Sequence, residues 1–248
     1  MFIDTHCHLS IEDYEDIDKV VKENIEAGVK KLIVSACTKN TFEEALALAK
    51  KYDSIYVTLG FHPSEVDTTD ADLKLLEELL KTDKVVGVGE IGLDYHYGKD
   101  DIDMQKALFE KQLVIAEKLN LPVVIHSRDA VNDTIETLKK HNVKGVIHCF
   151  SGSVETADIY IKLGYKLGIG GVVTFKNSNL YKVVEHVGLD NIVLETDAPY
   201  LAPEPFRGKQ NSSKYIPVIA TKIADILNVS LSEVEEKTTK TASNLFDL

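Results

Sequence analysis

The chain has no tryptophan, only three cysteines, two methionines and two arginines among its 248 residues. Cys7, Cys37 and Cys149 are too few for a disulfide framework and odd in number, which points to a reducing cytosol. No apolar run approaches the roughly 18 residues that a membrane span requires, so none is expected. The start, Met1-Phe2-Ile3-Asp4-Thr5-His6, carries neither a basic n-region nor an apolar h-region, and a secretory signal is therefore not expected. A P-loop is missing. Positive charge is also scarce: 28 lysines and arginines face 40 acidic residues, for a net charge of −12. A protein that coats nucleic acid without regard to sequence would be basic, so that class is excluded, whereas an enzyme that grips one phosphate locally is not. The resulting expectation is a soluble cytoplasmic protein with no membrane partner.

What is present is ordinary globular composition, 44% hydrophobic, with a regular alternation. Short apolar runs recur at Phe2–His6, Leu32–Ala36, Ile55–Gly60, Val85–Ile91, Val123–His126, Val146–Phe150, Lys166–Gly170 and Ile192–Glu195. Their continuous hydrophobicity suits strands buried on both faces of a parallel sheet. Helical stretches lie between them; one carries Met104, Leu108, Ile115 and Leu119 as an apolar stripe. Gly28, Gly164 and Gly188, with Asn120 and Asn142, stand where a left-handed residue would end a helix ahead of the next strand. Eight such units in one chain of this length predict an α/β fold, a single-domain (β/α)₈ TIM-type barrel spanning residues 1–248. Two further helical segments follow an irregular stretch at Thr196–Ser213. The first repeats Ile216, Ile219, Ile223 and Leu227, and the second opens on Ser230-Leu231-Ser232-Glu233, so additional C-terminal helices are expected.

A parallel barrel keeps its active site at the C-terminal strand ends, and the reactive side chains fall there. His6 and His8 end the first run, His62 follows the third and Glu90 lies near the end of the fourth. His126 ends the fifth, His148 is late in the sixth and Asp197 follows the eighth. Two imidazoles two residues apart on an extended segment project to one side and can share a metal ion, whereas Cys7 between them should point away and pack. Imidazole and carboxylate ligands suit Zn²⁺, Mn²⁺ or similar ions. Six candidates, His6, His8, Glu90, His126, His148 and Asp197, exceed the set for one catalytic zinc and fit two ions bridged by a carboxylate. His62 is a candidate substrate contact, and Asp94 a residue that holds its loop. Arg128 and Arg207 are candidate anion-binding groups, because a guanidinium fork suits phosphate oxygens. Tyr95, Tyr97, Tyr200 and Phe206 are expected to pack rim loops rather than stack on bases.

Taken together, Asp4-Thr5-His6-Cys7-His8, Gly60-Phe61-His62-Pro63, Gly89-Glu90-Ile91-Gly92-Leu93-Asp94-Tyr95 and Glu195-Thr196-Asp197-Ala198-Pro199-Tyr200 resemble the TatD-type metal-dependent deoxyribonucleases, of the amidohydrolase-like barrels. His126-Ser127-Arg128, His148-Cys149-Phe150-Ser151-Gly152 and Arg207-Gly208-Lys209 extend the resemblance over the whole chain. It implies two divalent ions per chain (Zn, Mn or Mg) held by the six candidates, with Glu90 bridging. It implies hydrolysis of DNA phosphodiester bonds, single-stranded DNA or DNA ends being the expected substrate. Glu90 and Asp197 would be catalytic, Asp197 taking the proton of the attacking water, while Arg207 and Lys209 hold the phosphate and His62 and Arg128 also contact substrate. The family usually continues the Arg-Gly-Lys motif with Asn-Glu-Pro, whereas Gln210-Asn211-Ser212-Ser213 follows here, in a loop expected to touch substrate. Two alternatives remain. One is a hydrolase of amides, lactones or phosphotriesters on the same barrel, although many of those carry a bridging lysine where Glu90 stands. The other is a metal-stabilised barrel without turnover.

Overall fold

The structure, a computed structural model, describes residues 1–98 and 100–248. Eight parallel strands form one sheet in chain order: β1 (Phe2–Cys7), β2 (Val29–Ala36), β3 (Ile55–Leu59), β4 (Val85–Asp94), β5 (Val123–Arg128), β6 (Gly145–Ile147), β7 (Lys166–Ile169) and β8 (Ile192–Leu194). The helices between and after them are α1 (Ile17–Glu26), α2 (Lys39–Lys51), α3 (Asp70–Leu79), α4 (Ile102–Leu119), α5 (Val131–Leu138), α6 (Val154–Lys162), α7 (Leu180–Val187), α8 (Ile216–Leu227) and α9 (Leu231–Phe246). Polar links bring β8 back to β1 and nearly close the barrel. The Thr5 hydroxyl donates to Leu194 O at 3.0 Å, Asp197 N–H to His6 O at 3.0 Å and His8 N–H to Ala198 O at 2.6 Å. The fold is the expected (β/α)₈ barrel; α8 serves as its eighth helix, and α9 is the addition. Among the described residues, no helix is long and apolar enough to cross a membrane.

Two layers of side chains explain where the chemistry sits. Ile3, Ile33, Val86, Val124, Val146 and Val193, one from each of six strands, pack with Ala242 and Phe246 of α9, apart from the core between strands and helices. These residues form an apolar floor that α9 stoppers. Side chains two residues further along a strand point the same way. That step leads from Ile33 to Ser35, from Val124 to His126, from Val146 to His148 and from Val193 to Glu195, so the layer above the floor is polar. β6 and β8 stop at Ile147 and Leu194, which leaves His148 and Glu195 just beyond regular pairing.

Most helix ends follow the expected chemistry. Asn120 caps α4 in the left-handed region at φ 52°, and Gly28 and Gly164 adopt φ 91° and 92°. Ser230 caps α9 by accepting Glu233 N–H. Asn142 differs: α5 closes four residues earlier, at Leu138, and the Asn142 N–H donates to the Glu117 carboxylate instead. The buried stripe of α4 also differs. Leu108 and Ile115 are buried as expected, but Met104 is exposed and Leu119 only partly covered, and Gln105, Phe109, Gln112, Leu113 and Ala116 are buried as well. A purely apolar pattern misses the two glutamines, whose burial is permitted because backbone groups satisfy their amides.

Candidate metal centre

All six expected ligand residues converge at the C-terminal mouth of the barrel. Glu90, buried within β4, which continues four residues further to Asp94, presents its two oxygens to different histidine pairs. Oε1 lies 2.7 Å from His126 Nδ1 and 2.9 Å from His148 Nε2. Oε2 lies 3.6 Å from His6 Nε2 and 3.8 Å from His8 Nε2. The carboxylate of Asp197 completes the second group, with Oδ1 3.5 Å from His6 Nε2 and 3.6 Å from His8 Nε2. Asp197 reaches that position from a left-handed backbone, φ 55°, a conformation that aspartate tolerates better than most residues.

The donors fit divalent cations. A tetrahedral ion with ligands at about 2.0–2.1 Å has ligand–ligand edges of about 3.3–3.4 Å. His6 Nε2 and His8 Nε2 stand 3.3 Å apart, and their separations from Asp197 and Glu90 run from 3.5 to 3.8 Å. The His8 Nδ1–H points at Ser35 O, 3.2 Å away, which leaves the Nε2 lone pair facing the cluster. Glu90, His126 and His148 make a second such set, and His62, Asp94 and His126 a third.

The electrostatics mark the same place. Burial alone would push Glu90 upward, but the charge of His148 and hydrogen bonds from His126 and His148 hold its carboxyl well below the usual range. Burial likewise opposes ionisation of Asp197, and contacts with His6 and His8 again prevail and lower it. Burial favours neutral His148, yet Glu90 and Glu195 raise it well above an ordinary histidine.

Several supporting residues escaped the sequence reading. Glu195 is fully buried beneath His148, with Oε1 3.6 Å from His148 Nδ1 and accepting Cys149 N–H, while Oε2 has no hydrogen-bond partner among the described residues. Gly168 of β7 makes room for that carboxylate, since a Cβ at this position would meet Glu195 Oε2 at 2.1 Å. Asp94 does more than hold its loop: Oδ1 accepts His96 N–H at 2.9 Å and Oδ2 lies 3.0 Å from His126 Nε2. The two buried glutamines of α4 clamp the rim. Gln105 bonds both backbone groups of Asp94 at 2.9 and 2.8 Å, and Gln112 bonds both of Phe61, beside His62, at 2.7 and 3.0 Å. Asp4 joins β1 to β8 by accepting the N–H of His6 and both the N–H and hydroxyl of Thr196. Asp4, Asp94 and Glu195 stand inside the motifs that carry the family resemblance, whereas Gln105 and Gln112 show only as polar side chains on the apolar face of a helix.

The expected substrate contacts are more dispersed. The His62 ring lies 4.8 Å from that of His126, at the edge of the cluster. Arg128 is exposed at the end of β5, its guanidinium 5.3 Å over the Tyr97 ring. Arg207 is exposed in the loop after β8, 4.4 Å over the Phe175 ring. Lys209 is exposed in the same loop. Cys7 packs as expected, buried with Sγ 3.7 Å from Ile33 O. Asn211, in the segment that departs from the usual motif, faces inward: it is fully buried, and its amide donates to Thr196 O at 2.8 Å and Tyr200 O at 2.6 Å. That position fastens the β8 loop rather than offering itself to substrate.

Comparison with known proteins agrees with this geometry. The family model described as TatD related DNase matches residues 3–247. The chain is 39% identical over 252 aligned residues to the uncharacterized metal-dependent hydrolase YabD of Bacillus subtilis, covering 99% of both chains. It superposes on the crystal structure of YjjV, a TatD homologue from Escherichia coli, with a TM-score of 0.93 at 33% identity, covering 100% of this chain and 98% of the other. A TatD family hydrolase from Entamoeba histolytica shares the fold at TM-score 0.89 and 24% identity, covering 99% of this chain and 97% of that one. The chain belongs to the TatD related DNase family.

Proposed function

We propose that this protein is a metal-dependent hydrolase that cleaves phosphodiester bonds of DNA, with single strands or strand ends as substrate. The observation that carries the reading is Glu90, whose two oxygens face two separate histidine pairs, an arrangement that would let one carboxylate serve two cations. His6, His8 and Asp197 would hold one ion, His126 and His148 the other, with zinc, manganese or magnesium as candidates. Bound there, the cations supply Lewis acidity, lowering the pKa of water to about 7 and offsetting negative charge on a phosphoryl oxygen. Asp197 points one oxygen at His6 and His8, and its carboxylate would take the proton of the attacking water. Arg207 and Lys209 contribute positive charge from the β8 loop, and His62 and Arg128 line the opposite rim. Hydrolysis of amides, lactones or phosphotriesters is the competing activity.

Turnover of a short single-stranded oligonucleotide, a lactone and a phosphotriester, measured beside metal content, separates the two. Asp197→Asn should lower oligonucleotide cleavage by about 10²–10⁴ while most of the metal remains. Near wild-type cleavage by a metal-loaded Asp197→Asn protein would remove the assigned role. Turnover confined to the lactone or phosphotriester would replace the DNA reading.

A further inference from the structure

Three grooves lie around the mouth of the barrel: one of about 510 Å³ contains His62 and Asp94 and is acidic, and the other two carry opposite charges. The groove on the β1–β2 side, about 550 Å³, begins at His8 and Tyr200 and is lined by Glu12, Asp13 and Glu44 without a lysine or arginine among the described lining residues. The groove on the β6–β8 side, about 430 Å³, contains Arg207 and Lys176, with Ser151, Asn177 and Ser178, and no carboxylate among the described lining residues. Its volume lies within the range of small-ligand sites. Ser151 lies in the same loop after β6 as His148, and Arg207 in the same segment after β8 as Asp197, so both walls come from loops at the mouth of the barrel that also carry cluster residues.

Arg207 is held in place before any ligand arrives. Its loop is fastened by Glu204 N–H, which donates to the Thr174 hydroxyl at 2.9 Å, and by Phe206, which stacks on Tyr215 with ring centroids 4.2 Å apart. Phe175 then supports the guanidinium at 4.4 Å. A guanidinium resting on an aromatic face retains in-plane N–H donors, whose fork matches two oxygens of a phosphate. In a chain of net charge −12, a polyanion must rely on such local cations.

We propose that the β6–β8 groove is a phosphodiester subsite, which takes a backbone phosphate flanking the bond held at the histidine–carboxylate cluster. Arg207 is its donor fork, Lys176 its second cation, and Phe175 the ring that positions Arg207. The subsite rests on the DNA-hydrolase reading, and it places the strand on the β6–β8 side, away from the three carboxylates beside His8.

The test uses the protein as purified and two short fluorescein-labelled oligothymidylates, one phosphorothioate-linked and charged, the other methylphosphonate-linked and neutral. Fluorescence anisotropy then reads binding without turnover. Arg207→Gln should weaken the charged probe about tenfold and flatten its salt dependence by about 0.7 in slope. Phe175→Leu should weaken it roughly threefold, Phe175→Tyr should restore it, and the neutral probe should respond to none of these changes. Unchanged affinity of Arg207→Gln for the charged probe, equal losses with both probes, or no saturable binding by the wild type would each overturn the subsite. If binding depends on Arg207 but DNA is never cleaved, the DNA-hydrolysis reading fails, and the groove stands only as a phosphodiester-binding site without a part in cleavage. If DNA is cleaved while affinity ignores Arg207 and Phe175, only the subsite falls.

Discussion

The five rim histidines are one residue type in five electrostatic settings. Burial lowers His6, with repulsion from His148 adding to it, whereas Asp94 and Glu90 overcome burial at His126 and raise it. His62 is lowered as well, to about 4, because burial, with repulsion from His126 and His148, outweighs the pull of Glu90 and Asp94. Its folded value therefore lies below the ordinary 6.5, so the neutral ring contributes stability above 6.5, and that contribution is lost as pH falls towards 4. Nitrogen NMR of the metal-free protein should still find His62 neutral at a pH of about 5; a midpoint near the ordinary histidine value would show that the ring is open to solvent. Glu195 illustrates a second property of single residues here. Its carboxylate lies buried beneath the far nitrogen of His148, where it can fix which nitrogen faces Glu90.

At the level of elements, helices on the outside of the barrel set the geometry of its mouth. α4 does so through Gln105 and Gln112, seven residues apart and hence on one face, each tied to a different rim loop. α9 works at the opposite end, where Ala242 and Phe246 close the apolar floor. Phe246 is 2% exposed, and its ring lies 3.6 Å from where a Cβ on Gly87 would stand, so truncation would leave a cavity with little room to collapse. Phe246→Ala should lower unfolding free energy by about 3–5 kcal/mol, read as a shifted urea midpoint with unchanged slope. A loss below about 1 kcal/mol would show that the floor closes without α9.

For the whole molecule, the barrel brings together residues nearly two hundred positions apart, and Glu90 stands at their centre. His6 and Asp197 meet across the β1–β8 seam, while His126 and His148 approach from the other side. The protein as purified should carry up to two divalent ions, and Glu90→Ala should lose at least one of them by metal analysis. Full retention of both would remove Glu90 from the bridge. A chain of this net charge also repels a polyanion everywhere except where lysine and arginine gather, so recognition must be local.

The repeat of strand and helix, the barrel and the rim positions of His6, His8, Glu90, His126, His148 and Asp197 were legible in the sequence. Buried parallel strands require continuous apolar runs, and any reactive side chain that ends such a run must emerge at one end of the sheet. The turn at Asn142, the inward-facing Asn211 and the polar face of α4 were not legible. Each depends on a partner distant in the chain: the Glu117 carboxylate, the carbonyls of Thr196 and Tyr200, and the backbone of Asp94 and Phe61. Glu195 needed the gap left by Gly168 on the neighbouring strand, and Arg207 needed Phe175 beneath it. Local pattern records which face of an element is buried. Which polar groups meet there is decided by barrel closure, because a buried hydrogen bond or charge pair takes its energy from a neighbour that the linear order does not specify.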